Sequence, residues 1–378
     1  MSDDPRTSTL SRRRRILITG ASSGIGQQAA LLLLQAGHRL TLPCRDQDRA
    51  DATRQKLLGV DGADLLTPIC DLADLKSVER CAQELIAHGT PIDTLVLNAG
   101  LQYSGAAEPQ RSAQGYELTV AVNHLAHQAL VMQLLPLLER SESPRLVITA
   151  SEVHDPHSPG GRVAQAAGLG DLAGLRTGAG FSMVDGHSPF SADKAYKDSK
   201  LCNLLFARGL ERRLRQRGTP MSVLAWSPGL VIPRSSGGFF RQSRHHNEWG
   251  QRLFALVARD LLRLTATPGQ AGALLAQLAS SAAYGRPEFS YHVNRLIAPG
   301  QLRFESADPS PEAQDDALAD ALWTVSAQLV DVPDGLSHRP LRAPVEGRGQ
   351  STETRQPQGS TGGEEHQGLQ DQEEHPHG

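Results

Sequence analysis

Tyr196 and Lys200 are spaced to do proton chemistry together. They stand four apart in Tyr196-Lys197-Asp198-Ser199-Lys200, a run that opens a helical segment, so both fall on one helix face. A phenol with a pKa of about 10 is a poor acid–base group at neutral pH, but a neighbouring ammonium stabilises the phenolate and lowers that pKa. Ser151 can orient a substrate by hydrogen bond. Asn123, in Val122-Asn123-His124, can support Lys200 through water. Singly, these residues have plainer roles: an interfacial aromatic, a solvated helix charge, a cap. The chemistry is read from the set, and from what precedes it in the chain.

What precedes it is a nucleotide-binding turn. Thr19-Gly20-Ala21-Ser22-Ser23-Gly24-Ile25-Gly26 follows a short apolar run and opens an apolar helix. In that context glycines let backbone approach a pyrophosphate, and the helix start supplies N–H donors and a positive dipole end. Gly20, Ser22, Ser23, Gly24, Ile25 and Gly26 are therefore candidate cofactor contacts. The second strand ends in Pro43-Cys44-Arg45, where an NAD site usually carries an acidic side chain for the ribose. Arg45 suits a 2′-phosphate instead, which favours NADP(H), with Asp46 beside it as a counterweight. Asp71-Leu72 can place a carboxylate near the adenine, and the same carboxylate can cap the helix at Leu75. Asn98-Ala99-Gly100 closes the fourth strand with residues small enough for close backbone approach. Once a nicotinamide is bound, its positive ring adds to the pull of Lys200 on the phenol, and Lys200 can also hold the nicotinamide ribose.

Other chemistries find little support. His124 and His127 are three apart, but no carboxylate or third histidine recurs nearby at ligand spacing, so both read as helix packing. His245-His246 reads as a surface loop. Cys44, Cys70, Cys81 and Cys202 form neither a CxxC nor a disulfide framework and read as reduced thiols of a cytosolic protein, with Cys202 packed and inert. A net charge of −3 with mixed signs gives no case for nucleic acid. The apolar runs Ala29–Leu34 and Leu253–Ala258 are far short of the ~20 residues of a spanning helix, and the N-terminus lacks a secretory apolar region.

The elements that must position these residues follow from periodicity. The chain has 378 residues, 39% hydrophobic and only 4% aromatic, so its core is built of Leu, Ala, Val and Ile. Residues 1–15 read as a polar arm whose four arginines, Arg12 to Arg15, are solvated. From 16 to 332, short apolar runs alternate with helical patterns. Strands are expected at Ile16–Ile18, Arg39–Pro43, Leu65–Ile69, Thr94–Leu97, Leu146–Thr149 and Ser222–Trp226. Helices are expected at Leu75–Ala87, Ala113–Leu138 and Ala195–Gln216. Continuous apolar strands separated by helices imply an α/β fold with a doubly wound parallel sheet of Rossmann type. Residues 333–378 are rich in Gln, Glu, Gly, Ser and Pro with few aliphatics and read as a disordered tail.

In its ordered motifs the chain resembles the short-chain dehydrogenase/reductase family: the TGASSGIG turn, Asn98-Ala99-Gly100, Ser151, the Tyr196/Lys200 pair and Ser227-Pro228-Gly229 occur in that family's order. The resemblance covers about Arg14 to Val332 and implies that Pro228 and Gly229 contact the cofactor. Ser151 and Tyr196 are separated by 44 residues, a far longer segment than ordinary members have, and an insert of that size in a compact domain is usually functional. Within it, Gly168-Leu169-Gly170-Asp171-Leu172-Ala173-Gly174-Leu175 and Met183-Val184-Asp185-Gly186 are similar to the insert of light-dependent protochlorophyllide reductases. So are the run from Gly115 to His127, the run from Lys194 to Asn203, and Leu322-Trp323. That subfamily has Thr where this chain has Ser151, and cysteines at the positions of Leu97 and Leu230. The segment Val231-Ile232-Pro233-Arg234 also departs from its pattern.

The resemblance implies NADPH-dependent reduction of a small lipophilic substrate, protochlorophyllide in that subfamily, with hydride added to a ring double bond after light absorption and a proton passed through Tyr196. The insert, about 154 to 191, would help to cover an apolar substrate with Phe181, Met183 and Phe190; otherwise it is a mobile surface loop. A pigment-handling role would bring peripheral contact with a photosynthetic membrane. Two other readings stay open. One is a light-independent carbonyl or alcohol oxidoreductase of retinol type. The other is a catalytically silent protein that binds NADPH or pigment. Nothing in the sequence speaks to oligomeric state.

Overall fold

Eight strands form one sheet in the order β3-β2-β1-β4-β5-β6-β7-β8. The structure, a computed structural model, describes residues 12–60, 63–231 and 265–332. The tail from 333, most of the N-terminal arm, His245-His246, Leu253–Ala258 and Ile232-Pro233-Arg234 lie outside the described residues. The strands are β1 (Arg15–Ile18), β2 (Arg39–Thr41), β3 (Asp64–Leu66), β4 (Thr94–Leu97), β5 (Arg145–Thr149), β6 (Ser222–Ser227), β7 (Phe289–Ala298) and β8 (Gln301–Ser306). All neighbours pair in parallel except β7 and β8, which form an antiparallel hairpin at the edge.

The order reverses between β1 and β4, which places the topological switch point, and the crevice at the carboxyl ends of the strands, beside the turn after β1. The period-2 alternation of each strand sends its apolar residues to two cores. Ile16, Ile18, Val96, Val147, Leu224 and Trp226 face α1 (Gly24–Gln35) and α8 (Pro268–Ser280). Leu17, Leu95, Leu97, Leu146, Ile148 and Val223 face the other layer. That layer holds α3 (Leu75–His88), α5 (Ala126–Leu138), α7 (Ala192–Gln216) and α9 (Asp316–Val330). The short α2 (Gln47–Leu57), α4 (Leu118–Val120) and α6 (Ala173–Arg176) complete the order.

Several boundaries differ from expectation. The helix expected from Ala113 begins at Leu118, because Ser112 to Glu117 is a turn closed by Glu117, whose buried carboxylate accepts from Thr119 N and Val120 N. Five residues of that helix, Ala121–Leu125, wind as a π-helix. β2 stops at Thr41 rather than Pro43, since proline has no N–H to give the ladder. Helix α3 is capped by Asp74, not Asp71. The arginine run is not wholly solvated: Arg15 begins β1 and pairs with Asp93, and Arg14 is buried, donating to Thr94 Oγ1 and to the carbonyls of Asp93 and Ser143.

Candidate active site

The turn after β1 carries the dinucleotide motif because its glycines are sterically required. A Cβ on Gly26 would lie 2.6 Å from the Gly20 carbonyl oxygen and 2.6 Å from Asn98 Nδ2, so α1 could not seat against the strand ends. Gly24 has φ +58° with open space beside it, a conformation that disfavours other residues. Ser23 is the N-cap of α1, yet its side chain makes no capping bond, and the first turn holds no acidic residue. The caps of α2, α3, α8 and α9 all accept backbone N–H groups through their side chains. The start of α1 thus offers N–H donors and a positive dipole end to an anion.

These donors open into a cavity of about 1190 Å³ at the carboxyl ends of the strands. One end is lined by Gly20, Ser22, Ser23, Gly24, Ile25, Arg45, Asp71 and Leu72, and the middle by Asn98, Ala99 and Gly100. The other end holds Ser151, Tyr196, Lys200, Pro228 and Gly229. Every sequence-derived catalytic or cofactor candidate is a lining residue except Gly26, which packs behind the turn, and Asn123, which is fully buried. Arg45 pairs with Asp46 at 3.1 Å, and Arg49, one helical turn further on, lines the cavity beside it. Asp71 accepts from Ala73 N at 3.0 Å, holding the loop that borders this end.

At the far end, Tyr196 is half-buried and hydrogen-bonded to the Ser151 hydroxyl; desolvation of the phenol raises its pKa above the usual value and the Ser151 bond acts the other way. Ser151 also accepts from Val153 N at 3.5 Å, so it is both cap and partner. Lys200 Nζ sits 5.5 Å from the Tyr196 ring centroid and donates to the Thr149 carbonyl at 2.9 Å, one of the three bonds an ammonium can make. Burial lowers its pKa to about 7. Asn123 makes no direct bond to Lys200 among the described residues. Its Oδ1 accepts from Leu101 N at 2.9 Å, and its Nδ2 donates to Leu101 O and Ser199 Oγ, both at 3.0 Å. Ser199 in turn donates to the Tyr196 carbonyl at 2.7 Å.

The insert is not a loose loop. Leu169, Leu172, Leu175, Phe181, Met183 and Val184 are buried in the core. Charged groups of the catalytic helix fasten it. Lys197 Nζ donates to the carbonyls of Gly161, Val163 and Gln165. Lys194 Nζ reaches Asp198 at 2.6 Å, Asp185 at 3.1 Å and the Gly168 carbonyl at 2.8 Å. The cover expected of Phe181, Met183 and Phe190 is corrected here. Phe181 and Met183 pack inward, Phe190 stacks on Tyr103 at 6.2 Å, and none of the three lines the cavity. The insert contributes Ser158, Pro159, Gly160, Val163 and Ala164 instead. Leu101, Leu118, Val122, Val153, Leu230, Leu296 and Leu302 complete an apolar wall. Leu230 lies in that wall, while Leu97 is buried in β4, away from it.

Comparison with known proteins fits this geometry. The short chain dehydrogenase family profile matches residues 14–167, ending inside the insert. Protochlorophyllide reductase A of Oryza sativa subsp. japonica is 34% identical over 326 residues, covering 84% of this chain and 81% of its own. The chain belongs to the short-chain dehydrogenase/reductase family. It is an oxidoreductase of that NAD(P)-dependent family, similar to the protochlorophyllide reductases. That of Avena sativa is 33% identical over 322 residues, covering 83% of this chain and 99% of its own. Among solved structures, an uncharacterized protein from Mycobacterium Paratuberculosis superposes with a TM-score of 0.59 at 26% identity, covering 84% of this chain and 93% of its own. The RhlG/NADP active-site complex of Pseudomonas aeruginosa gives 0.53 at 26% identity, covering 77% and 97%. No helix among the described residues is long and apolar enough to cross a membrane.

Proposed function

We propose that this chain reduces a small lipophilic substrate with NADPH, and that the substrate is a protochlorophyllide-type ring system in which a C=C bond is reduced. The observation that carries the reading is one cavity joining the uncapped start of α1 to Tyr196 and Lys200, with an apolar wall between β7, β8 and the insert. The cofactor is NADP(H). Arg45 and Arg49 supply positive charge for a 2′-phosphate, and the complexed neighbour from Pseudomonas aeruginosa is described with NADP. The names of the relatives from Oryza and Avena support the pigment substrate.

The chemistry that bound NADPH supplies is hydride donation. The rest falls to the protein. The start of α1 binds the pyrophosphate. Lys200 holds the nicotinamide ribose through donors left over from Thr149. Tyr196 is protonated at neutral pH, since desolvation holds the pKa of its phenol above the ordinary value, so its Oη gives the proton that completes the reduction. Ser151 orients that phenol, and Asn123, acting through Ser199, fixes the helix that carries it. The apolar wall excludes water from the reacting bond.

Leu230 in the wall favours a second reading, since it offers no proton where the photoenzyme subfamily has cysteine. In that reading a carbonyl is reduced in the dark, polarised by Ser151 and Tyr196. One assay separates the two: absorbance of purified protein with NADPH and protochlorophyllide, first in darkness and then illuminated. Light-dependent conversion to a red-shifted product is expected, lowered about 10²–10⁴-fold by Tyr196→Phe. Binding without turnover in light would contradict the enzyme reading, and failure to bind the pigment would redirect it to lipophilic carbonyls.

A further inference from the structure

The π-helical turn and α5 bring a buried histidine against the dinucleotide turn. His127 is almost wholly buried and does not line the cavity. Its Nδ1 lies 3.1 Å from the Asn123 carbonyl oxygen and its Nε2 lies 3.0 Å from Thr19 Oγ1. A carbonyl oxygen only accepts, so Nδ1 carries the ring proton. Thr19 Oγ1 accepts from Asn98 N and Ala99 N, both at 3.0 Å, which occupies its two lone pairs. Its own proton then has two acceptors in reach, His127 Nε2 at 3.0 Å and the Val96 carbonyl at 3.4 Å. The nearer is the imidazole. One neutral tautomer therefore satisfies both ends, and the ring is held neutral by burial and, more weakly, by the charge of Lys200.

The bridge runs further. Asn123 bonds Ser199, and Ser199 bonds the Tyr196 carbonyl. On the other side Asn98 Nδ2 donates to the Thr19 carbonyl at 3.1 Å, beside Gly20. His127 thus joins the element that would hold the pyrophosphate to the elements that carry the proton donor.

We propose that His127 is a positioning residue for the dinucleotide, a neutral bridge between Thr19 and Asn123 that fixes the spacing between the start of α1 and the Tyr196–Lys200 pair. It rests on the reading of the cavity as an NADP(H) site. Without the ring, the Thr19 proton turns to Val96, the Asn123 carbonyl loses a partner, and the nicotinamide half of the site loosens. The adenosine half, formed by Arg45, Arg49 and Asp71, has no part in the bridge.

The test compares two ligands on three proteins, the wild type, His127→Leu and His127→Gln, by titration calorimetry well below each melting temperature. The ligands are NADPH, which spans the cavity, and 2′,5′-ADP, which carries the adenosine half and its first phosphate but no nicotinamide. His127→Leu is expected to weaken NADPH about tenfold and leave 2′,5′-ADP unchanged. His127→Gln, whose amide can still bond Thr19, is expected to keep NADPH affinity closer to wild type than Leu does and to leave 2′,5′-ADP unchanged. Equal weakening of both ligands, or no change in NADPH affinity with Leu, would overturn the bridge. If His127→Leu yields no folded protein, His127→Asn, whose shorter amide cannot reach Thr19 and Asn123 together, is held to the same contrast. A wild type that binds neither ligand would sink the cofactor reading itself, which is a different result.

Discussion

Lys200 is the residue whose burial matters most to the chemistry. Its ammonium is enclosed beside Tyr196, and desolvation lowers its pKa from 10.5 to about 7. Between those values the unfolded chain holds a proton that the folded chain gives up, so stability rises with pH across that window. Lys200→Met should remove this contribution. In ligand-free protein, the difference in unfolding free energy between variant and wild type should favour the variant at pH 6 and shrink as pH rises towards 10. Chemical denaturation at a series of pH values measures it; a difference independent of pH would show that Lys200 is not held as a buried cation. At this scale the sequence is highly legible. Tyr196, Lys200, Ser151 and the glycine turn announce themselves by type and spacing. Arg49 does not, because its relevance depends on α2 turning one helical turn back over the end of β2. His127 is equally silent, since a histidine inside an apolar helix reads as packing until its two ring nitrogens are seen to have different partners.

The insert and the catalytic helix behave as one element. Tyr196 and Lys200 face the cavity, while Lys197 and Asp198 between them bond the insert. Lys197 meets three backbone carbonyls between Gly161 and Gln165, and Asp198 accepts from Gly168 N and Lys194. This holds Val163 over the apolar half of the cavity although Val163 and Arg162 are themselves exposed. Lys197→Met keeps the aliphatic stem and removes the three bonds. Limited trypsin digestion followed by mass spectrometry should then find cleavage after Arg162 about tenfold faster than in wild type; an unchanged rate would mean that Lys197 does not hold the segment. None of this is legible in the sequence. Lysines on a helix read as solvated, and their partners are backbone carbonyls of a segment that carries no pattern of its own. The large apolar residues of the insert mislead as well: Phe181 and Met183 suit a substrate wall by type, but the fold spends them on its core.

Across the molecule, the parallel strands are readable from apolar runs spaced by helices, while their order, and with it the crevice at the switch point, comes from the fold. The β7–β8 hairpin is not readable either. Tyr291-His292-Val293-Asn294-Arg295 mixes polar and apolar residues because it passes from the sheet core to the rim of the cavity, and Asn294 there donates to the Pro228 carbonyl at 3.1 Å. Helix α9, the last among the described residues, closes the opposite layer. Trp323 is buried, stacked on Phe206 at 5.5 Å with the Arg213 guanidinium 4.5 Å from its ring. It links α9 to α7, so Trp323→Ala should lower stability by about 3–5 kcal/mol, read as a shift of the denaturant midpoint with little change in slope. A loss below about 1 kcal/mol would mean that α9 is dispensable to the layer.

The central claim is that one cavity takes NADPH with Tyr196 at its far end, and the affinity of the purified wild-type chain for NADPH and NADH tests it without knowledge of the substrate. The account predicts that NADPH binds, that NADH binds at least about tenfold more weakly, and that Arg45→Ala narrows the gap. Binding of neither cofactor, or tighter binding of NADH, would contradict it.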